Sequence, residues 1–407
     1  LSRNTNRPEK QNRMTRSDAS IAGFIARLQP RLATLGSQPD AVVSDDEFNA
    51  LALELFALQF SSVAPYRRLC ESRGATPAKV KSWRDIPPVP SAAFKELELT
   101  SLAEAERVAV FHSSGTTGSK PSRHFHSAAS LALYETALLG WFRQYVLGDW
   151  DRLAEDEIIG ALDKPGFLVL TPLAEQVPHS SLVHMFETVR RELGARDSVF
   201  TGKVGPDGGW ELDLDATLFG LRKSMCANRP VTLLGTAFSF VHLLDHFAAN
   251  NIRYRLAEGS RVLETGGYKG RSRELPKQEL HALITKHLGI PSSRIVVEYG
   301  MSELSSQAYD REACWGGTMT DAGSLMPDTR GRALHFPPWT RVRLISPETG
   351  KDVPAGQPGL VRIHDLANVC SVQVVQTEDL GIALGDGFQL LGRATVAEAR
   401  GCSLMPA

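Results

Sequence analysis

Between Val108 and Glu303 short apolar runs alternate with amphipathic stretches, and this alternation limits the chain more than any other feature. Strands are expected near Val108 to Phe111, Phe167 to Thr171, Val231 to Gly235, Val262 to Glu264 and Ile295 to Tyr299. Helices are expected at about 127–146, 213–228, 237–249 and 276–288, the last with Pro276 at a first-turn position. Strands alternating with helices of this length form α/β layers around a mainly parallel sheet, and ligands of such sheets lie at the carboxyl ends of the strands.

Outside this region the texture changes. Ser44 and Glu47 form a capping box ahead of Phe48, Leu51, Leu55 and Leu58, which recur at helical spacing until Pro65. Ile86-Pro87-Pro88-Val89-Pro90 must be extended, because each proline fixes its own φ and pushes the preceding residue out of the α region. After about residue 330 short strands separated by Gly and Pro turns, among them Arg341 to Ile345, Leu360 to Ile363 and Phe388 to Leu391, read as a β-rich subdomain. The expected division is a disordered polar tail over 1–18, with Met14 as a candidate start, an α/β core over 19–330, the β-rich subdomain over 331–394 and a short arm over 395–407.

Composition excludes several classes of function. With 45 Lys+Arg against 46 Asp+Glu the formal charge is −1, so no general field draws in nucleic acid. The apolar stretch from Leu233 to Leu244 is interrupted by Thr236, Ser239 and His242 and falls short of the roughly 18 residues that span a bilayer. No transmembrane segment is expected. Five cysteines, odd in number and with no C-x-x-C pair, argue against a disulfide framework or zinc site and for a reducing cytoplasm.

Three motifs carry chemistry. Ser113-Ser114-Gly115-Thr116-Thr117-Gly118-Ser119-Lys120-Pro121 directly follows a strand. Its glycines let backbone N–H groups approach an anion, its hydroxyls donate to phosphate oxygens, and Lys120 adds a point charge. It is not a Walker loop, since Ser119 separates Gly118 from Lys120 and the residues 122–126 read as extended. The second motif, Glu298-Tyr299-Gly300-Met301-Ser302-Glu303, ends another strand: Tyr299 offers a flat face to a base, Ser302 a phosphate donor and Glu303 a hard oxygen ligand for Mg²⁺. The third is Thr377-Glu378-Asp379-Leu380, followed by a Gly385-Asp386-Gly387 turn and Leu391-Gly392-Arg393; an Asp and an Arg together suit the two hydroxyls of a ribose.

In this order the motifs resemble the adenylate-forming superfamily of acyl and aryl ligases. The resemblance implies that Ser113, Ser114, Gly115, Thr116, Thr117, Gly118 and Lys120 hold the phosphates of ATP and that Gly266 and Gly267 pass beside the adenine. It implies further that Tyr299 and Gly300 meet the base, Ser302 and Glu303 the phosphate and Mg²⁺, and Asp379 and Arg393 the ribose. Within the superfamily the chain is similar to the LuxE-type acyl-protein synthetases of bacterial fatty-acid reductase complexes. The similar segments are Pro65 to Cys70, Ile86 to Lys95, Glu264 to Arg273, Glu298 to Gln307 and Arg400-Gly401-Cys402-Ser403. One departure from the wider superfamily stands out: only 14 residues follow Arg393, where a typical member continues into a lid domain with a catalytic Lys. Lys120, Lys269 and Arg271 are the candidates to supply that charge.

The resemblance implies ATP-dependent activation of a fatty acid as acyl-AMP, with Lys120 and Glu303 catalytic, and transfer of the acyl group to a cysteine near the C-terminus. Cys402 is the matching position; Gly401 permits bending there and Arg400 favours the thiolate. An acyl-reductase is the implied partner protein. Cys70, Cys226, Cys314 and Cys370 are expected to be small buried hydrophobes. His124 and His126 share one strand face without a third metal ligand, and His179 is read equally as lining the acyl pocket or as structural. Two other readings stay open: release of the acyl group to coenzyme A, as in phenylacetate-type ligases, and a non-catalytic nucleotide-binding subunit.

Overall fold

The computed structural model describes residues 20–38, 41–113, 120–150, 164–267, 272–310 and 332–394. The expected tail and C-terminal arm lie outside the described residues. Twelve described strands form one sheet. Its parallel half runs from Val199–Phe200 through Gly166–Val169, Val231–Thr236 and Arg261–Thr265 to Ile295–Tyr299. The register aligns Thr236 with Thr265 and Thr265 with Glu298, so the carboxyl ends of these strands share one edge.

Side-chain alternation explains why this half carries helices on both faces. Leu233 and Val262 join the core under helices Ala237–Ala249 and Lys277–Leu288, with Phe240, Leu244 and Ile284. Their neighbours Leu234 and Leu263 point the other way, into a core with Phe142, Phe167 and Phe186 under helices Ala128–Val146 and Ser181–Leu193. All six residues of Val231–Thr236 are buried, the signature of a strand covered on both sides.

Beyond Ile295–Tyr299 the pairing becomes antiparallel, through Ala308–Asp310, Leu334–His335, Gly387–Arg393, Val374–Leu384, Gly359–Asp365 and Thr340–Ile345. The β-rich texture after residue 330 is therefore a continuation of the same sheet. The proline run supplies Val89–Pro90 as a short strand parallel to Val375–Gln376. Helices Ile21–Gly36 and Asp45–Ser62 pack on this half through Phe24, Leu28, Phe48 and Phe56, in one core with Val361, Ile363 and Val374. Ser44 caps the second helix, its hydroxyl accepting from the Glu47 N–H.

Several expectations are corrected. The strand placed at Val108 to Phe111 is Ala109–His112, and it stands outside the main sheet, as an antiparallel ribbon with Arg123–His126. The two strands lie too close together in sequence for the crossover that parallel pairing would need. Pro276 is the N-cap of its helix rather than a first-turn residue. Helices Ile21–Gly36 and Ser181–Leu193 were not foreseen; the first carries Pro30 in its interior, a residue that argues against a helix. Cys70 and Cys370 are buried as expected, whereas Cys226 ends its helix exposed, and Cys314 lies outside the described residues.

Helices Ile21–Gly36 and Ala128–Val146 approach through two glycines. A Cβ on Gly140 would stand 2.7 Å from the Cα of Gly36, closer than side chains tolerate. Gly140→Ala should therefore destabilise the fold by about 1–3 kcal/mol in urea unfolding, even though alanine has the better helix propensity. A loss below about 0.5 kcal/mol would show that the two helices are not in close contact.

Candidate active site

The carboxyl edge of the parallel strands is where the three motifs meet. The ribbon carries the Ser/Thr/Gly loop and lies against the end of Ile295–Tyr299. Ser113 and Ser122, at the two mouths of the loop, are tied reciprocally: the Ser113 N–H donates to Ser122 Oγ at 3.2 Å and the Ser122 N–H to Ser113 Oγ at 3.0 Å. Ser122 Oγ then lies 3.2 Å from Ser302 Oγ, and Ser302 Oγ donates to Glu303 Oε2 at 3.1 Å. A chain of donors thus runs from the loop mouth to the Glu303 carboxylate. Of the loop itself Ser113 and the exposed Lys120 are described, while Ser114, Gly115, Thr116, Thr117 and Gly118 lie outside the described residues.

The Ser302–Glu303 corner is also held from below. His124, fully buried, donates from Nδ1 to the Ser302 carbonyl at 2.8 Å. Burial pushes its pKa down to about 4, so the ring is neutral and carries its proton on Nδ1. Asn368 donates to the carbonyls of Glu303 and Val372, both at 2.9 Å, and Asp365 accepts from the Ser305 N–H at 3.0 Å and the Ser306 hydroxyl at 2.8 Å. Burial raises the Asp365 pKa to about 6. Glu303 itself is 5% exposed.

Tyr299 leads to the third motif. Its hydroxyl donates to Asp379 Oδ2 at 2.8 Å, and its ring packs edge-on against Phe336 and Phe388. Asp379 lies opposite Arg393 in the hairpin register, with Arg393 Nε 3.6 Å from Asp379 Oδ1. Burial raises the Asp379 pKa. Arg393 is 77% exposed, so the pair adds little to stability and leaves the guanidinium free to turn toward a ligand. Gly385 at φ +60° makes the expected turn. Gly266, at φ +72°, and Gly267 follow the neighbouring strand, and no atom of the described residues lies within 4 Å of a Cβ at either position.

The structure thus brings Ser113, Ser302 and Glu303 into one hydrogen-bonded chain and Tyr299 and Asp379 into a second pair off the same strand end, with Gly266, Gly267 and Gly300 at adjacent strand ends and Arg393 beside Asp379. Cys402, Lys269 and Arg271 lie outside the described residues. His126 is buried beside His124, their rings 4.3 Å apart, and among the described residues no group of three His, Cys, Asp or Glu could hold a metal. His179 packs against His112 with the rings tilted and 4.5 Å apart, and its Nδ1 lies 3.1 Å from the Val110 carbonyl. Sequence reasoning missed Ser122, Asn368 and Asp365, and placed His124 on a strand face with His126, without a third metal ligand and without a role. Asn368 and Asp365 come from a segment about sixty residues downstream, and no local pattern announces that contact.

Comparison with known proteins gives this arrangement its context. The family described as acyl-protein synthetase, LuxE, matches residues 204–406. The chain belongs to that family. The long-chain-fatty-acid–luciferin-component ligase of Vibrio harveyi is 25% identical over 354 residues, covering 83% of this chain and 82% of the relative. Its counterpart from Aliivibrio fischeri is 22% identical over 368 residues, covering 87% and 86%. Among solved structures, an open conformation of 2-hydroxyisobutyryl-CoA ligase with 2-HIB-AMP and CoA aligns at TM-score 0.57 and 15% identity, across 86% of this chain and 69% of that one. The same ligase in the postadenylation state aligns at TM-score 0.58 and 14% identity, across 86% and 67%. The fold is that of adenylate-forming ligases.

His124 makes the corner sensitive to acid. Its folded pKa is depressed below the ordinary imidazole value, so its contribution is complete above about pH 6.5 and is lost as pH falls through about 4. His124→Gln should flatten the fall in unfolding free energy between pH 6.5 and 4 by on the order of 1–3 kcal/mol, read from urea titrations at each pH. An unchanged slope would show that the buried His124 ring does not set it.

Proposed function

We propose that this LuxE-family enzyme activates a fatty acid with ATP and passes the acyl group through its own Cys402. The observation that carries the reading is the donor chain from the loop mouth through Ser122 and Ser302 to Glu303, which joins a phosphate-binding loop to a buried carboxylate. The fatty acid as substrate class follows from the names of the two relatives. ATP is the second substrate, with its phosphates on Ser113 to Lys120, its base beside Gly266, Gly267, Tyr299 and Gly300, and its ribose on Asp379 and Arg393.

The acid's carboxylate attacks the α-phosphorus, pyrophosphate leaves, and an acyl-adenylate forms. The loop's N–H and hydroxyl groups and Lys120 stabilise charge growing on the phosphate oxygens. One carboxylate with a neighbouring hydroxyl fits Mg²⁺, which usually takes one or two protein carboxylates and fills its remaining positions with phosphate oxygens and water. Glu303 would hold that ion, which supplies charge neutralisation on the phosphates.

The Cys402 thiolate then attacks the acyl carbonyl carbon; the bond to the phosphate oxygen breaks, AMP leaves and a thioester remains. Cys402 is eight residues beyond Ala394, whose N–H donates to the Glu378 carbonyl beside Asp379, a reach of at most about 28 Å for extended chain. An acyl-accepting protein, of which a reductase is the chemically fitting kind, takes the group onward. A reducing cytoplasm keeps the thiol available.

Incubation with ATP, Mg²⁺ and a panel of acids should give an acyl adduct by intact mass that hydroxylamine removes and that Cys402→Ser lacks. An adduct surviving in Cys402→Ser overturns the acceptor, and acyl-CoA formed by that variant would favour coenzyme A as acceptor. Glu303→Gln should lower ATP–pyrophosphate exchange by about 10²-fold, while exchange at the wild-type rate removes Glu303 from the reaction.

A further inference from the structure

Glu298 is absorbed by none of the roles above, although it is 6% exposed at the carboxyl end of the strand that supplies Tyr299. Its carboxyl accepts from the Thr265 hydroxyl, and Thr265 immediately precedes the Gly266-Gly267 strip. The same carboxyl folds back over Gly300, where any Cβ would overlap it. One side chain therefore braces both glycine strips that flank the open edge of the site. The two strands pair at this very position, Glu298 opposite Thr265.

The surroundings disfavour a charge here. Glu264, 1% exposed and paired with His281 Nε2 at 3.3 Å on the other face of the neighbouring strand, acts on Glu298 as a like charge through the sheet. Tyr134 from the helix Ala128–Val146 and Tyr309 from the adjacent antiparallel strand face it as well, both fully buried phenols. Lys277, exposed at the start of its helix, is the cation that acts on it. Burial is the largest effect and moves the Glu298 pKa up to about 7, with Thr265 pulling it down.

We propose that Glu298 is a positioning residue for nucleotide binding: its protonated carboxyl holds the Thr265-Gly266-Gly267 strip against Tyr299-Gly300, and ATP binding is coupled to uptake of that proton. The inference rests on the adenylating reading of the site. The ionised form leaves a buried charge among Tyr134, Tyr309 and Thr265, and the strips must part to let water reach it.

The test is calorimetric titration of the whole chain with Mg·ATP from pH 6.5 to 8.5, in two buffers of different ionisation enthalpy. In the wild type the Kd should rise by up to about tenfold per pH unit above 7, with proton uptake approaching one per ATP. Glu298→Gln, which keeps the shape without the charge, should hold the pH 6.5 affinity across the range and lose that uptake. Thr265→Val, which removes the hydroxyl that favours the ionised form, should move the midpoint to higher pH. A Glu298→Gln variant with the wild-type slope and uptake overturns the proposal, as does an unmoved midpoint in Thr265→Val if Glu298→Gln does not fold. Absence of ATP binding by the wild type at every pH would instead overturn the adenylating reading, and the inference with it.

Discussion

The contact between the ribbon and the Ser302–Glu303 corner is the joint on which the site depends. Arg123–His126 is a short strand outside the main sheet, and a two-stranded ribbon is at best marginally stable by itself. It is fixed because Ser122 meets the Ser302 hydroxyl and His124 donates to the Ser302 carbonyl, both in the buried interior. Through that joint the mouth of the Ser/Thr/Gly loop is tied to the end of a parallel strand. A site built this way keeps the loop-mouth hydroxyls and the Glu303 carboxylate in one frame.

The buried polar groups around this joint work as a network rather than as single bonds. Asp365 and Asn368 hold the chain after Glu303, Gln59 donates to the Asn368 carbonyl at 2.8 Å, and Gln373 donates to the Ala52 carbonyl at 3.0 Å. The N-terminal helices are thereby connected to the site through side chains more than three hundred residues apart in sequence. Such a network is costly to leave half satisfied, so it specifies one arrangement of the corner.

Much of the architecture was legible in the sequence. The four parallel strands near 167, 231, 262 and 295 and the helices after the second and third of them follow from apolar periodicity, because each buries a face that its pattern announces. The first strand was placed to within a residue but stands outside the sheet it was expected to join, since period-two patterning reports burial and not the identity of the partner. The helix Ile21–Gly36 was hidden by Pro30, whose local penalty is outweighed by packing of Phe24, Leu28 and Leu32. Of the site, the residues with distinctive chemistry in tight motifs were readable: Ser113, Tyr299, Ser302, Glu303, Asp379.

The sequence by itself determined the class of sheet, the order of the three motifs and the chemistry each can offer, because local composition and spacing set backbone conformation and donor type. Only the tertiary structure decided that the ribbon stands apart from the sheet, that His124 and Asn368 orient the corner, and that Glu298 sits buried between two glycine strips. These depend on residues brought together across strands and over long separations. Burial and partner, which the sequence does not contain, turn an ordinary histidine into a fixed neutral donor and an ordinary glutamate into a group that titrates near neutrality.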